Sequence, residues 1–183
     1  AITQGPGLEP ALWVGINAAL ALHMVWDIPL YPINHMEGHI IAGALSCTDG
    51  IYEISPINFP ACALLISGGH TELVRIPKLR SYKVIGNTKD DAVGEAFDKV
   101  ARMLDLTYPG GPEISRLAER SRKEGLIVDE DLRLPRPMLH SGDLSFSFSG
   151  LKTAVLTRIK KRGQVDDITK QMLALEFENA VTD

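Results

Sequence analysis

The sequence predicts an α/β protein, and three observations carry that prediction. The β-type run "AITQ" turns through Gly5, Pro6 and Gly7 into an apolar helical stretch. A second such run, "IPLYPIN", leads into another helical stretch. Two further β-type runs flank a Gly-Gly pair and are followed by segments with helical periodicity.

Taken in order, "AITQGPG" reads as a buried strand entering a glycine turn, and the first helix is expected from about Glu9 to Trp26. "IPLYPIN" is a short strand, and the helix after it carries two histidines. "CTDGIYEISPINFP" is rich in turn residues and ends in Pro60. "ACALLISGG" and "HTELVRI" form a hairpin around Gly68 and Gly69. We place a lobe boundary near residue 58, giving parts 1–58 and 59–183. Helices follow from about Asp90 to Leu104, Pro112 to Lys123 and Gly150 to Arg162. The last, "DDITKQMLALEFENAVTD", reads as an amphipathic helix that stops mid-pattern. Ala1 stands where an initiator methionine would, with no cap ahead of the first strand, so the sequence is expected to be an excerpt of a longer protein.

With 183 residues, 45% of them hydrophobic and 23% charged, the chain can bury one sizeable core or two modest ones. Its longest apolar stretch, Ala11 to Trp26, is broken by Asn17 and His23 and falls short of the ~20 residues a membrane span needs. Two cysteines, Cys47 and Cys62, are too few for a disulfide framework, and nothing resembles a signal peptide, so a cytoplasmic compartment is expected. A net charge of −4 gives no global attraction to nucleic acid. RNA would need local basic patches, of which "TRIKKRG" (Arg158, Lys160, Lys161, Arg162) is one, though a solvated helix end explains it more readily.

In "NHMEGHI", His35 and His39 lie one helical turn apart, about 40° around the axis, so both imidazoles can reach one ion. The spacing permits a metal without requiring one. In the HExxH peptidase pattern the glutamate directly follows the first histidine. Here Glu37 stands two residues after His35, about 180° from the bisector of the pair, which argues against that chemistry. "SGG" (Ser67 to Gly69) lets backbone N–H groups approach a phosphate, although a plain hairpin turn explains it equally well. In "YPGGPEI", Gly110 and Gly111 precede Pro112 at a helix start, a ready anion site. No Walker A or Rossmann fingerprint is present. In "DDAVGEAFDKVARML", Asp91, Glu95 and Asp98 fall on one helix face, and Asp98 is a candidate for ribose hydroxyls.

Together, "GPGLEPALWVGINAA", "NHMEGHI", "LLISGGHTEL", "DDAVGEAFDKVARML", "YPGGP" and "FSFSGLKTAV", in this order and spacing, resemble the tRNA N6-adenosine threonylcarbamoyltransferase family, once labelled O-sialoglycoprotein endopeptidases. The "HMEGH" form resembles its bacterial or organellar branch. The resemblance implies an actin/sugar-kinase/Hsp70-like fold of two α/β lobes, cut at both ends. It implies transfer of the threonylcarbamoyl group from threonylcarbamoyl-AMP to N6 of the adenosine 3′ of the anticodon in ANN-decoding tRNAs.

By the same resemblance, His35 and His39 match the metal ligands, with one divalent ion per subunit, Fe2+ ahead of Zn2+. Leu65, Ile66, Ser67, Gly68 and Gly69 match the substrate loop, Asp98 the nucleotide-contacting acid and Gly111 the second loop. The family's third metal ligand, an Asp, and an adenine-contacting Asn would fall after residue 183, and its first strand before residue 1. Ser115 stands where some members carry an acidic ribose contact. Implied partners are tRNA, a metal-free paralogue forming a heterodimer, and a small ATPase. A metallopeptidase and a non-catalytic nucleotide-binding scaffold of the same fold are the alternatives, and a scaffold has no reason to keep both histidines.

Overall fold

A computed structural model describes all residues from Ala1 to Asp183. The chain is α/β, with three small sheets and six α-helices: β1 (Ile2–Gly5), α1 (Glu9–Trp26), β2 (Pro32–Asn34), α2 (His35–Ala42), β3 (Leu45–Thr48), β4 (Ile51–Ile54), β5 (Ala61–Ile66), β6 (Thr71–Lys78), β7 (Ser81–Asn87), α3 (Val93–Met103), α4 (Gly110–Lys123), α5 (Ser149–Arg162) and α6 (Asp167–Thr182). Two compact units divide it, one of Ala1–Leu65 with Arg75–Lys83, the other of Ile66–Val74 with Val84–Asp183. No helix is long and apolar enough to cross a membrane.

In the first unit, β1 and β2 pair in parallel, Ile2 opposite Pro32, and α1 makes the crossover that parallel strands require. Pro10 sits in the first turn of α1, where its missing N–H costs nothing, and Asp27 ends the helix in a left-handed conformation. The segment read as merely turn-rich holds an antiparallel hairpin instead, with Leu45 opposite Ile54 and Thr48 opposite Ile51. Its turn is Asp49-Gly50, both at positive φ (52° and 79°), the pair a two-residue hairpin favours because its twist matches the strands.

The strands β5, β6 and β7 form a three-stranded sheet in that order. The hairpin of β5 and β6 was expected, whereas β7 was not.

The second unit is built on α3, α4, α5 and α6. Ala96, Val100, Ile114, Ala118, Leu173, Ala174 and Phe177 are all at 0% exposure. Alanines at 96, 118 and 174 let the helices approach closely, and each fully buried Ile, Leu or Phe contributes about 1.5–3 kcal/mol. Phe97 and Phe177 meet edge to face with ring centroids 5.0 Å apart.

Although its pattern reads as amphipathic, α6 is buried continuously from Gln171 to Phe177. Its Glu176 carboxylate, at 0% exposure, accepts from Arg136 Nη1 at 2.7 Å and from the Leu134 amide at 2.9 Å, so a buried charge is matched on both counts.

Candidate metal and nucleotide sites

The helix α2 begins where Asn34 stops being extended. Its Oδ1 accepts the amides of Met36 (2.8 Å) and Glu37 (3.2 Å), satisfying two of the first-turn donors that have no helical partner. His35 is thereby the first helical residue and His39 stands one turn on, both exposed. Their Nε2 atoms lie 3.1 Å apart, with ring centroids at 4.6 Å and ring planes at 79°. With metal–nitrogen bonds of about 2.1 Å, two nitrogens at 3.1 Å subtend an angle of about 95° at a shared ion, suited to adjacent coordination positions. The pair fits a metal on this ground. No third His, Cys, Asp or Glu of the chain joins it.

Glu37 points elsewhere. With Gly38, Ile40, Ile41, Phe59 and Tyr82, among others, it lines a mostly apolar cavity of 350 Å³. Burial, with help from the Glu37 charge, pushes the Tyr82 hydroxyl above its ordinary value. Glu37 and Tyr82 thus line one cavity that neither histidine lines, in keeping with the helical position of Glu37 two residues from His35.

The glycine loop of the β5–β6 hairpin is closed by its own serine. Ser67 Oγ accepts the amides of Gly69 (3.3 Å) and His70 (2.9 Å), while Ser67 N donates to His70 O at 2.9 Å. Leu65 is buried before the loop, and Ile66 is 60% exposed. Directly after it, Thr71 is buried and its Oγ1 accepts the Val93 amide at 2.9 Å, capping α3 from a residue 22 positions earlier. Gly94, in the first turn of α3, lies under the loop. A Cβ there would come to 2.8 Å from Ser67 O and 2.9 Å from Gly68 Cα, distances real Cβ atoms do not adopt. The loop therefore rests on the start of α3, and only glycine at position 94 permits it.

One turn further along α3, Asp98 Oδ1 accepts the Gly110 amide at 2.8 Å. A Cβ on Gly110 would collide with Ala101 Cβ and stand 2.9 Å from Asp98 Cα, so the start of α4 is also held tight against α3. Gly111 is looser, its virtual Cβ 4.0 Å from Phe97 Cβ. Ser67, Gly68, Gly69, Asp98 and Gly111 are thus gathered around α3.

The acids expected to share a face with Asp98 are engaged in ion pairs. Asp91 lies ahead of α3, not on it, and bridges Lys152 (2.6 Å) and Lys99 (2.9 Å), while Glu95 pairs with Lys99 at 2.5 Å. Lys152, then Lys99, hold the Asp91 carboxyl below its usual range. Ser115 donates to Glu178 at 2.6 Å. In "TRIKKRG", Arg158 donates to the Arg133 carbonyl and Arg162 to Asp129 and Asp131, leaving only Lys160 and Lys161 unengaged.

Asn34, Thr71 and Gly94 were not singled out from the sequence. The one available signal was Asn34 directly before the first helical histidine, a capping residue at a helix start.

Sequence comparison extends this geometry. The sequence model of the tRNA N6-adenosine threonylcarbamoyltransferase family matches residues 1–183. Proteins named tRNA N6-adenosine threonylcarbamoyltransferase are 52% identical in Paraburkholderia xenovorans, 51% in Burkholderia mallei and 48% in Methylobacillus flagellatus. Each alignment covers 100% of this chain but only 50% or 51% of the relative, so the chain spans about half the length of the curated relatives it matches.

Proposed function

The chain belongs to the tRNA N6-adenosine threonylcarbamoyltransferase family, and from that premise we propose that the full-length protein transfers a threonylcarbamoyl group from threonylcarbamoyl-AMP to N6 of the adenosine 3′ of the anticodon in ANN-decoding tRNAs. The exocyclic nitrogen bonds to the carbamoyl carbon, the bond from that carbon to the phosphate oxygen breaks, AMP leaves, and N6 gives up one proton. The proposal includes an actin/sugar-kinase/Hsp70-like architecture, with 1–58 in the metal-bearing lobe and 59–183 in the nucleotide lobe. It includes a cytoplasmic setting, a metal-free paralogue as heterodimer partner and a small ATPase.

The observation that carries this reading is the 3.1 Å convergence of the His35 and His39 Nε2 atoms in a chain of this family. These imidazoles would hold a divalent ion, Fe2+ or alternatively Zn2+, with a carboxylate from elsewhere in the full-length protein as third ligand. When bound, the ion supplies Lewis acidity to the oxygens of the donor.

The remaining work falls to residues of the chain. In the Ser67–Gly69 loop the Gly68 amide, and in the first turn of α4 the Gly111 amide, are offered to the adenylate and orient it, while the amides of Ser67, Gly69 and Gly110 hold the two loops in shape. Leu65 and Ile66 lead into that loop. Asp98 keeps Oδ1 on Gly110 and turns the rest of its carboxylate to a ribose hydroxyl.

The metallopeptidase alternative is disfavoured by Glu37, which lines a cavity that neither histidine lines. The scaffold alternative is disfavoured by retention of both histidines. The test is to supply the full-length protein and its partners with tRNA, ATP and preformed threonylcarbamoyl-AMP, then digest the tRNA and analyse its nucleosides by mass spectrometry. Threonylcarbamoyl-adenosine is expected, and unmodified adenosine throughout would refute the reading.

A further inference from the structure

We propose that the hairpin of β6 and β7, over Arg75–Lys83, is a docking surface for the phosphodiester backbone of an RNA strand. This deepens the proposed function and rests on it, since a tRNA is the RNA that such an enzyme must hold. The segment "RIPKLRSYK" carries four cations, Arg75, Lys78, Arg80 and Lys83, and no acid, within a chain of net charge −4.

What distinguishes these four is their grouping, since Arg102, Lys160, Lys161 and Lys170 are also without an ion pair but no other stretch gathers four unpaired cations within nine residues and no acid. Of the 19 lysines and arginines, Lys89, Lys99, Arg116, Arg120, Arg122, Lys123, Arg133, Arg136, Lys152 and Arg162 are in salt bridges, and Arg158 is on a backbone carbonyl. Arg75, Lys78, Arg80 and Lys83 are all exposed and none takes part in an ion pair or hydrogen bond. Four cations within nine residues repel one another, and although Glu37 lines the cavity that Arg80 also lines, none of the four is ion-paired to an acid of the chain. An external polyanion would relieve that repulsion.

The geometry suits such a partner. Arg75 and Lys78, three apart on β6, project from opposite faces of the strand. Arg80 sits in the two-residue turn with a left-handed φ of 63°, beside Leu79, which is 61% exposed. The hairpin is thus a ribbon charged on both faces and at its tip. It reads no bases and accepts a backbone, the sequence-independent part of nucleic-acid binding. The "TRIKKRG" run is the weaker candidate, because Arg158 and Arg162 are already engaged within the chain.

A competing reading is that charges on β7, the edge strand, only guard against strand-to-strand aggregation. One lysine such as Lys83 suffices for that, whereas cations on both strands and in the turn do not follow from it.

The experiment is binding of an unmodified tRNA transcript to the full-length protein across a potassium chloride titration. It compares wild type with the doubles Lys78→Gln/Lys83→Gln and Arg75→Gln/Arg80→Gln, and with the charge-keeping double Lys78→Arg/Lys83→Arg. Each phosphate contact contributes about 0.7–0.9 to the slope of log K against log salt, so each glutamine double should weaken binding about tenfold and flatten the slope by about one to two. The arginine double should bind as wild type does. Thermal melting and binding of AMP should be unchanged in all three. A wild type that binds tRNA while both glutamine doubles match it in affinity and slope overturns the surface and spares the functional reading. Glutamine doubles that aggregate yet keep full tRNA affinity overturn it in favour of the edge guard. A wild type that binds no tRNA even at low salt overturns both.

Discussion

Asp98 Oδ1 accepts the Gly110 amide at 2.8 Å, so a side chain within α3 caps a helix whose own N-cap residue, Pro109, has no side-chain acceptor to offer. Asp98→Ala should therefore cost the full-length protein about 1 kcal/mol, read as a lower urea midpoint. Asp98→Asn keeps an Oδ1 acceptor and should keep the midpoint within about 0.5 kcal/mol. If the carboxylate also meets a ribose, the Asn variant should still lose adenylate affinity. An Asn variant with unaltered affinity removes Asp98 from the substrate site and leaves it a cap.

Gly94→Ala tests the link between α3 and the glycine loop. Alanine in a helix gains up to about 1 kcal/mol over glycine, but here its Cβ would press on Ser67 O and Gly68 Cα, which are backbone and cannot rotate away. The expected outcome is a loop displaced from α3, with adenylate affinity down at least about tenfold, roughly 1.4 kcal/mol. A more stable variant with intact affinity would show that the loop's seat on α3 does not matter to binding.

The acid limb of stability should depend on Asp90. Burial alone would raise its pKa, but donation from Ser147, Phe148 and Ser149 outweighs that and holds it at about 2, below the ordinary 3.8. Because the folded value is the lower one, this stabilisation is complete above the unfolded value and fades as pH falls from about 4 through about 2. Asp90→Asn should lower the urea midpoint at pH 7 and shrink the difference between pH 7 and pH 2 relative to wild type. Asp90 is exposed, so water screens the effect and a modest change is expected.

Glu37→Gln separates transferase from peptidase. With Glu37 lining a cavity apart from the two histidines, the substitution should leave metal content and transfer activity within about twofold. A fall of 100-fold or more, in the range of about 10²–10⁴ that a general base supplies, would return Glu37 to the chemistry.

Local periodicity made much of this legible. The limits of α1 follow from one apolar run, and the His35–His39 geometry follows from i, i+4 spacing alone. The β3–β4 hairpin was missed although Asp49-Gly50 is a strong turn signal, because the flanking runs are only four residues each. The unbroken burial of α6 from Gln171 to Phe177 reflects packing against neighbouring helices, chiefly α4, which no pattern within α6 encodes. Thr71 and Gly94 act through tertiary contacts, with Val93 across 22 positions in one case and with Ser67 and Gly68 in the other. Their roles appear only once β6 and α3 are side by side.

The central claim is that His35 and His39 jointly hold the metal on which transfer depends. Its most direct test is metal stoichiometry by elemental mass spectrometry in the full-length protein, purified anaerobically, for wild type, His35→Ala and His39→Ala, with circular dichroism as a check on folding. Wild type should carry about one divalent ion per chain and each alanine variant less than about a tenth of that, since an ion left with one imidazole loses half of the ligands these residues offer. A correctly folded variant that keeps a full equivalent of metal would contradict the account.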